Sequence, residues 1–167
     1  TTKKNTIETF KLGLSAGLNL FTGEARDLTS YSWQIGVLAE DKFKKFDNWF
    51  WQTGLDIDFF SGNTAYQNYS IKISGFKAPL YFSVFKNFLA EKNTNNNFYL
   101  GAGLIADYLH TKAKALSITE TKNKFGAGAL LKAGYRYNSI DFFIKSTFEN
   151  INSTTWSGVT LGCAYLF

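Results

Sequence analysis

The stretch FKLGLSAGLNL, residues 10–20, alternates strictly between apolar residues and polar or small ones. One face is formed by Phe10, Leu12, Leu14, Ala16, Leu18 and Leu20. The opposite face is formed by Lys11, Gly13, Ser15, Gly17 and Asn19. A period of two residues is typical of a β-strand whose two faces meet different surroundings. This segment therefore predicts a strand that separates an apolar medium from a polar one.

The same alternation recurs in seven later segments that are joined by polar connections. These segments are 30–40, 49–60, 68–84, 97–110, 123–137, 140–149 and 156–167. Gly75 and Pro79 interrupt the fourth one, and we expect a β-bulge near them because proline donates no ladder hydrogen bond. Asn138-Ser139 is predicted to form a two-residue hairpin turn. The pattern predicts one all-β domain over residues 1–167, an eight-stranded antiparallel up-and-down barrel.

The size of the apolar side chains and the positions of the glycines predict which face of the barrel wall points outward. An eight-stranded barrel has an interior just wide enough for side chains, and the apolar face is too bulky for it. Most of the fourteen glycines fall on the polar face, where a narrow lumen favours residues without side chains. They are Gly13, Gly17, Gly36, Gly54, Gly101, Gly103, Gly126, Gly128, Gly134, Gly158 and Gly162. We therefore predict a transmembrane β-barrel with an apolar exterior, and an even strand number that places both termini in the periplasm.

Composition narrows the possible chemistry. No apolar run reaches the roughly 18 residues of a transmembrane helix. The single cysteine, Cys163, excludes an intrachain disulfide and a cysteine-based metal site. The net charge of +5 comes mainly from dispersed lysines, so we expect no nucleic-acid partner. One histidine and scattered carboxylates offer no metal-ligand set, and we expect no cofactor.

Five stretches resemble strands of the PorT-like outer-membrane β-barrel family of Bacteroidetes-type outer membranes. They are FKLGLSAGLNL (10–20), WFWQTGLDIDFFSG (49–62), YSIKISGFKAPLYFSVF (69–85), FYLGAGLIADYL (98–109) and TLGCAYLF (160–167). The terminal aromatics Tyr165 and Phe167 are similar to the barrel-assembly signal that ends outer-membrane barrels. The resemblance implies a Gram-negative outer-membrane location, with outer-membrane lipid and lipopolysaccharide as neighbours. For some members it implies a part in protein secretion.

The predicted lumen carries charges of both signs, and buried charges must be paired. Across the Asn138-Ser139 turn we expect Arg136 opposite Asp141. A structural ion-pair network is the favoured interpretation, and a narrow ion path or anion site around Lys132 and Lys145 is the alternative. The network is predicted to comprise Asp56, Asp58, Lys72, Asp107, Lys124, Lys132, Arg136, Asp141 and Lys145.

Two further contacts are expected within this network. Asp56 and Asp58 should lie near Lys72, across the hairpin that joins the third and fourth strands. Asp107 should lie near Lys124, across the hairpin that joins the fifth and sixth.

His110 is the only histidine, and an outer-membrane lipid-modifying enzyme would need a serine and an acid beside it. Asp107 and Ser117 are the nearby candidates, but their predicted faces do not match that of His110. Lys112 occupies the third place of a His-x-Ser pattern. The sequence therefore favours a non-enzymatic barrel.

Two basic segments are candidates for contact with anionic groups. DKFKKFDN, residues 41–48, combines lysines with phenylalanines, and it is either a solvated turn or a contact for a lipid head group or partner. Lys112, Lys114 and Lys122 lie in the predicted connection 111–122, where they can meet lipopolysaccharide phosphates.

Small residues on the fifth and sixth strands predict a docking wall for a larger outer-membrane protein, because they allow close approach of backbones in lipid. They are Ala102, Ala106, Ala127, Ala129 and Ala133. The function expected is that of a structural or accessory subunit of an outer-membrane complex, in secretion or assembly. A narrow pore or small-ligand barrel is the alternative, and a lipid-modifying enzyme is less favoured.

Overall fold

The computed structural model describes residues 10–46, 48–66, 69–88 and 96–167. The strands are β1 (Lys11–Phe21), β2 (Tyr31–Lys42), β3 (Trp49–Tyr66), β4 (Tyr69–Asn87), β5 (Asn96–Ala115), β6 (Ile118–Tyr137), β7 (Ile140–Ile151), β8 (Thr154–Thr155) and β9 (Gly158–Leu166). A short 3-10 helix, Glu24–Asp27, lies between β1 and β2. None of the described helices has both the length and the apolar character needed to cross a membrane.

The strands close into one antiparallel ring. Strands β1 to β7 pair consecutively, and β9 pairs with both β7 and β1. At the closing seam, the Leu12 amide donates to the Phe167 carbonyl at 3.1 Å, and the Phe167 amide donates to the Leu12 carbonyl at 2.8 Å. The two-residue strand β8 pairs only with the end of β7. The predicted eight-stranded up-and-down barrel is confirmed, with β8 as a small addition.

The two faces of the wall differ as the alternation predicts. On β1, the Leu14 side chain is 57 % exposed, whereas its neighbour Ser15 is 8 % exposed. On β2, Trp33 is 63 % exposed and Gln34 is 3 % exposed. Large apolar side chains thus cover the outside of the barrel, while the buried polar and charged side chains of the strands all lie inside, together with several apolar and aromatic ones.

The two ends of the barrel are unequal. Phe10 and Phe167 lie at the same end, called here the terminal end. Strands β3 to β6 have 18 to 20 residues, whereas β1, β2, β7 and β9 have 9 to 12. Pairing of β3 with β2 stops at Phe60, and pairing of β6 with β7 starts at Gly126. Residues of β3 to β6 beyond these points form a four-stranded sheet at the other end, which we call the far-end extension.

The prediction that residues 111–122 connect two strands is wrong, because most of them belong to the far-end extension. Strands β5 and β6 continue through it and leave Leu116 and Ser117 as the turn, with Leu116 in the left-handed region at a φ of 51°. Both faces of this hairpin are largely polar, so the apolar alternation that marks the other strands disappears although the strands continue.

The predicted bulge near Gly75 and Pro79 is also wrong. Leu55 pairs with Leu80 and Asp58 pairs with Lys77, so the register is the same on both sides of Pro79. Two positions of the β3–β4 ladder are left unpaired instead, because proline has no N–H group to donate. The barrel wall therefore tolerates the proline without an inserted residue.

An apolar cluster closes the inside of the barrel at the far end. It comprises Phe21, Ala25, Phe60, Ile73, Leu109, Ile151 and Trp156. In the alternation of segment 68–84, Ile71 and Ile73 belong to the apolar face, which is predicted to point outward. That prediction is wrong for both, because Ile73 is part of this cluster and Ile71 packs against it. Polarity on this part of β4 is inverted, because apolar side chains plug the mouth of the barrel while polar ones face outward.

Candidate functional site

The lumen is crossed near the terminal end by an arginine cluster. The Arg136 guanidinium on β6 donates to both carboxylate oxygens of Glu40 on β2, at 2.7 and 2.8 Å. Arg136 also lies opposite Asp141 across the β6–β7 turn, with Nη2 3.6 Å from Oδ2, which confirms the predicted pairing. The Tyr99 hydroxyl donates to the same Asp141 oxygen at 2.7 Å.

A lysine crosses the lumen at the middle level. Lys145 Nζ lies 2.6 Å from Asp56 Oδ2 and donates to Gln34 Oε1 at 3.2 Å. The Gln34 amide donates to Asp58 Oδ1 at 2.7 Å. These contacts join β7 to β2 and β3 through the interior, so opposite walls of the barrel are tied together.

Lys132 lies opposite Lys145, as predicted, but the pair forms no vacant anion site. Lys132 Nζ donates to Gln52 Oε1 at 2.8 Å, lies 3.9 Å from Asp141 Oδ2 and sits 4.3 Å from the centre of the Phe143 ring. Both ammonium groups therefore already have protein partners.

A second lysine cluster lies toward the far end. Lys77 Nζ lies 2.5 Å from Glu149 Oε2 and 3.5 Å from Asp58 Oδ2, and the three side chains are at most 1 % exposed. Asp107 is 3 % exposed, and its carboxylate accepts no hydrogen bond from the described residues. This level holds more carboxylates than cations, and Lys77 is the cation that contacts Glu149 and Asp58.

Two residues of the predicted network lie elsewhere. Lys72 is exposed on the outward face and pairs with Asn63 and Lys114, so its predicted contact with Asp56 and Asp58 is wrong. The cation beside Asp58 is Lys77. Lys124 faces inward opposite Leu109, and the described residues give it no ion pair with Asp107.

Sequence reasoning missed five polar members of the network, namely Gln34, Glu40, Gln52, Lys77 and Glu149. Some of their partners are paired residues on the neighbouring strand, as for Gln34 and Asp58. Others lie across the lumen, up to 111 residues away in the chain for Gln34 and Lys145. Alternation places Gln34, Glu40, Gln52 and Glu149 on the polar face, so they were identifiable as lumen residues although not as pairs.

Aromatic rings occupy the remaining space near the terminal end, and glycines make room for them. The rings of Phe50 and Phe85 stack with centroids 5.0 Å apart, and Tyr99 packs edge-on against both. A Cβ atom at Gly134 would collide with the Tyr99 ring, and one at Gly54 would collide with the Tyr81 hydroxyl at 2.5 Å. The glycine-rich lumen face therefore serves to accommodate large side chains that lie across the barrel.

The histidine has an ordinary structural environment. His110 Nδ1 forms a 2.7 Å hydrogen bond with Asn123 Oδ1, and the ring stacks on Phe76 with centroids 5.3 Å apart. Asp107 lies on the inward face of β5, whereas His110 lies on the outward face, so the two cannot form a catalytic pair. Within the described ranges, no group of three or more His, Cys, Asp or Glu residues is placed to hold a metal ion.

The predicted docking wall lies on the outward face of β5 and β6, but it is not flat. Ala106 pairs with Ala127, while Leu104 pairs with Ala129 and protrudes at 73 % exposure. The terminal aromatics Tyr165 and Phe167 also point outward, with ring centroids 6.5 Å apart.

Comparisons with solved structures agree on the architecture. Ail, the attachment invasion locus protein of Yersinia pestis, solved in complex with the heparin analogue sucrose octasulfate, superposes with a TM-score of 0.65 at 10 % identity, over 95 % of this chain and 99 % of that one. A major outer membrane protein from Thermus thermophilus gives 0.60 at 14 % identity, over 96 % and 100 %. Neisserial surface protein A gives 0.54 at 12 % identity, over 95 % and 97 %. The chain has the fold of a small bacterial outer-membrane β-barrel.

No protein-family model matches the sequence, and no curated protein matches it either. The structural likeness, at these identities, concerns the fold alone. The resemblance to PorT-like barrels therefore stays a prediction from the quoted stretches.

Proposed function

We propose that this chain is a non-enzymatic integral barrel of the bacterial outer membrane that acts from its outer surface, as an accessory subunit of a larger complex in secretion or assembly. The observation that carries the proposal is the filled lumen. Arg136, Lys132, Lys145 and Lys77 reach across it from β6, β7 and β4 to partners on other strands. A barrel closed in this way offers its wall and its ends for function.

The outer wall fits a bilayer. On β5 the outward apolar band runs from Phe98 to Tyr108. The ten residue-to-residue steps between them, at about 3.3 Å each and tilted by about 40°, span about 25 Å. This equals the apolar band expected of outer-membrane barrels. We place the terminal end in the periplasm and the far-end extension at the cell surface, because the segments between strands of such barrels project further on the extracellular side, and β3 to β6 project beyond the closed ring only at the far end. Tyr165 and Phe167 then lie where the assembly machinery acts.

The narrow-pore alternative has less support. It requires Lys132 and Lys145 to present unpaired ammonium groups to a passing anion, yet both contact Asp56, Gln52 or Asp141. The apolar cluster around Trp156 lies above them, at the far end. Both features support a structural role for the interior.

We expect the alanine wall of β5 and β6 to be the contact with the partner. On the β5 and β6 side of Leu104, the small side chains of Ala102, Ala106, Ala127 and Ala129 leave a low surface, and Leu80 and Phe82 of β4 border it on the other side. A partner helix or strand with a complementary hollow fits over the protruding Leu104 side chain. Close packing of this kind drives association in lipid, where apolar burial gives no hydrophobic advantage.

Replacing both Ala129 and Ala133 with tryptophan should leave the barrel folded and release it from its complex, because the large rings prevent close approach. The measurement is purification from native membrane in gentle detergent, followed by quantitative mass spectrometry of co-purifying proteins. The matched control is the Ala16→Trp, Ala39→Trp variant, which adds the same rings to the outward face of β1 and β2 and should retain the partner. Purification of the unchanged protein as a monomer alone contradicts the accessory role.

A further inference from the structure

The outward face of the far-end extension carries three lysines, which we call the lysine triad: Lys72, Lys112 and Lys114. Lys72 lies directly opposite Lys114 across β4 and β5, and Lys112 lies opposite Ser74, one row nearer the barrel. Other hydrogen-bonding side chains share this face. They are Ser61, Asn63, Ser74, Thr119, Thr121 and Asn123. Among the described residues of this face there is no carboxylate.

The triad lacks the internal compensation that the lysines of the lumen have. Like charges directly opposite each other on neighbouring strands destabilise a sheet, since their Cβ atoms are about 4.5–5.5 Å apart. Lys132, Lys145 and Lys77 each contact a carboxylate. The described structure shows no such contact for Lys72 or Lys114. A positive surface without a counter-charge of its own suits an anion from outside the protein.

Lys122, which the sequence grouped with Lys112 and Lys114, belongs to the other face. It lies opposite Thr111, and its Nζ atom pairs with Glu120 Oε1 at 2.9 Å. The charge of Lys122 is therefore compensated locally by Glu120, whereas the charges of the triad have no such partner in the described structure.

An aromatic strip lies directly below the triad on the same outward face. Phe76 stacks on His110, and Tyr108 contacts Phe125 with ring centroids 5.2 Å apart. Phe125 is 76 % exposed. Lys112 follows Tyr108 by four residues, which is about 10 Å further along the barrel axis. This spacing places ammonium groups at head-group height and aromatic rings at the upper edge of the acyl chains.

We propose that the lysine triad binds the phosphate groups of a diphosphorylated glycolipid of the lipid A type in the outer leaflet. The acyl chains would run along Phe76, Tyr108 and Phe125, and the hydroxyl and amide side chains around the triad would contact the sugars. The inference rests on the membrane location and orientation given under the proposed function. It does not depend on a protein partner.

The test compares three forms of the purified protein by native mass spectrometry, with diphosphoryl lipid A as the probe. They are the unchanged protein, the Lys72→Gln, Lys112→Gln, Lys114→Gln variant and the control Lys42→Gln, Lys44→Gln, Lys45→Gln, which loses the same charge at the terminal end. Each lysine near a charged lipid surface contributes a measurable share of binding. We expect lipid A binding at least about tenfold weaker for the triad variant and within about twofold for the control. Replacing the triad with arginines should retain binding.

Several outcomes would overturn the inference. One is equal lipid A binding by the triad variant and the unchanged protein, and another is equal loss in the control. Equal binding of phosphatidylglycerol or of dextran sulfate would show a general polyanion surface instead. Retained heat-modifiable gel mobility shows that each variant is folded, and the Lys112→Gln single variant replaces any triple variant that is not. If the unchanged protein does not insert into membranes, the proposed function fails, whereas an inserted barrel without triad-dependent binding contradicts only this inference.

Discussion

Replacing Lys77 with methionine is expected to lower the free energy of unfolding by about 3–5 kcal/mol, because it leaves buried carboxylates without a cation. Lys77 contacts both Glu149 and Asp58, and Asp107 is buried at the same level. Methionine has a similar volume, so the loss reports the uncompensated charge rather than a cavity.

The measurement is denaturant unfolding of the barrel in lipid vesicles. Lys45→Met, in the exposed turn between β2 and β3, is the matched control and should change stability by less than about 0.5 kcal/mol. Adding Glu149→Gln to Lys77→Met should recover part of the loss, since it removes one of the orphaned charges. Equal stability of Lys77→Met and the control would show that this level is not held by the lysine.

Replacing Arg136 with methionine is expected to cost a similar amount, about 3–5 kcal/mol, for the same reason. Arg136 makes two short hydrogen bonds to Glu40, and both side chains are largely buried. A bidentate arginine–carboxylate contact is among the strongest side-chain interactions. Its loss leaves Glu40 with Gln52 as its remaining hydrogen-bond donor among the described residues.

A double-mutant cycle separates the two carboxylates beside Arg136. The coupling energy between Arg136→Met and Glu40→Gln should exceed that between Arg136→Met and Asp141→Asn, because Nη1 lies 2.7 Å from Glu40 whereas Nη2 lies 3.6 Å from Asp141. A larger coupling to Asp141, the partner across the turn, would mean that the cross-lumen contact is not the main one.

Of the two carboxylates beside Arg136, the sequence predicts the contact with Asp141 but not the contact with Glu40. Asp141 was predictable because a two-residue turn at Asn138-Ser139 fixes the register of its hairpin. The turn forms with Asn138 at a φ of 54°, a left-handed conformation that asparagine tolerates. Glu40 lies 96 residues from Arg136 in the chain, and only the closed ring brings them together. Alternation predicts that both face the lumen, but not at which height.

At the far end, alternation no longer predicts which face of a strand points outward. Alternation predicts the faces of β1 and β2 because lipid and lumen impose opposite polarity. Beyond the apolar band both sides of a strand can be polar, as for 111–122, and the plug reverses the polarity at Ile73. Alternation therefore predicts the wrong face for Lys72, because this residue lies in the far-end extension, where apolar side chains no longer mark the outward face. The predicted bulge near Pro79 is wrong for another reason. A proline in a strand pattern indicates either a bulge or unpaired positions in the ladder, and the sequence does not distinguish the two.

Single-channel recording in planar bilayers tests the central claim, that the interior of this barrel is structural and closed. We predict that the purified, heat-modifiable protein inserts without current steps above the baseline, because Arg136, Lys132, Lys145 and Lys77 cross the lumen below an apolar plug. Stable single-channel steps that disappear in Lys132→Ala would contradict the account and support the pore.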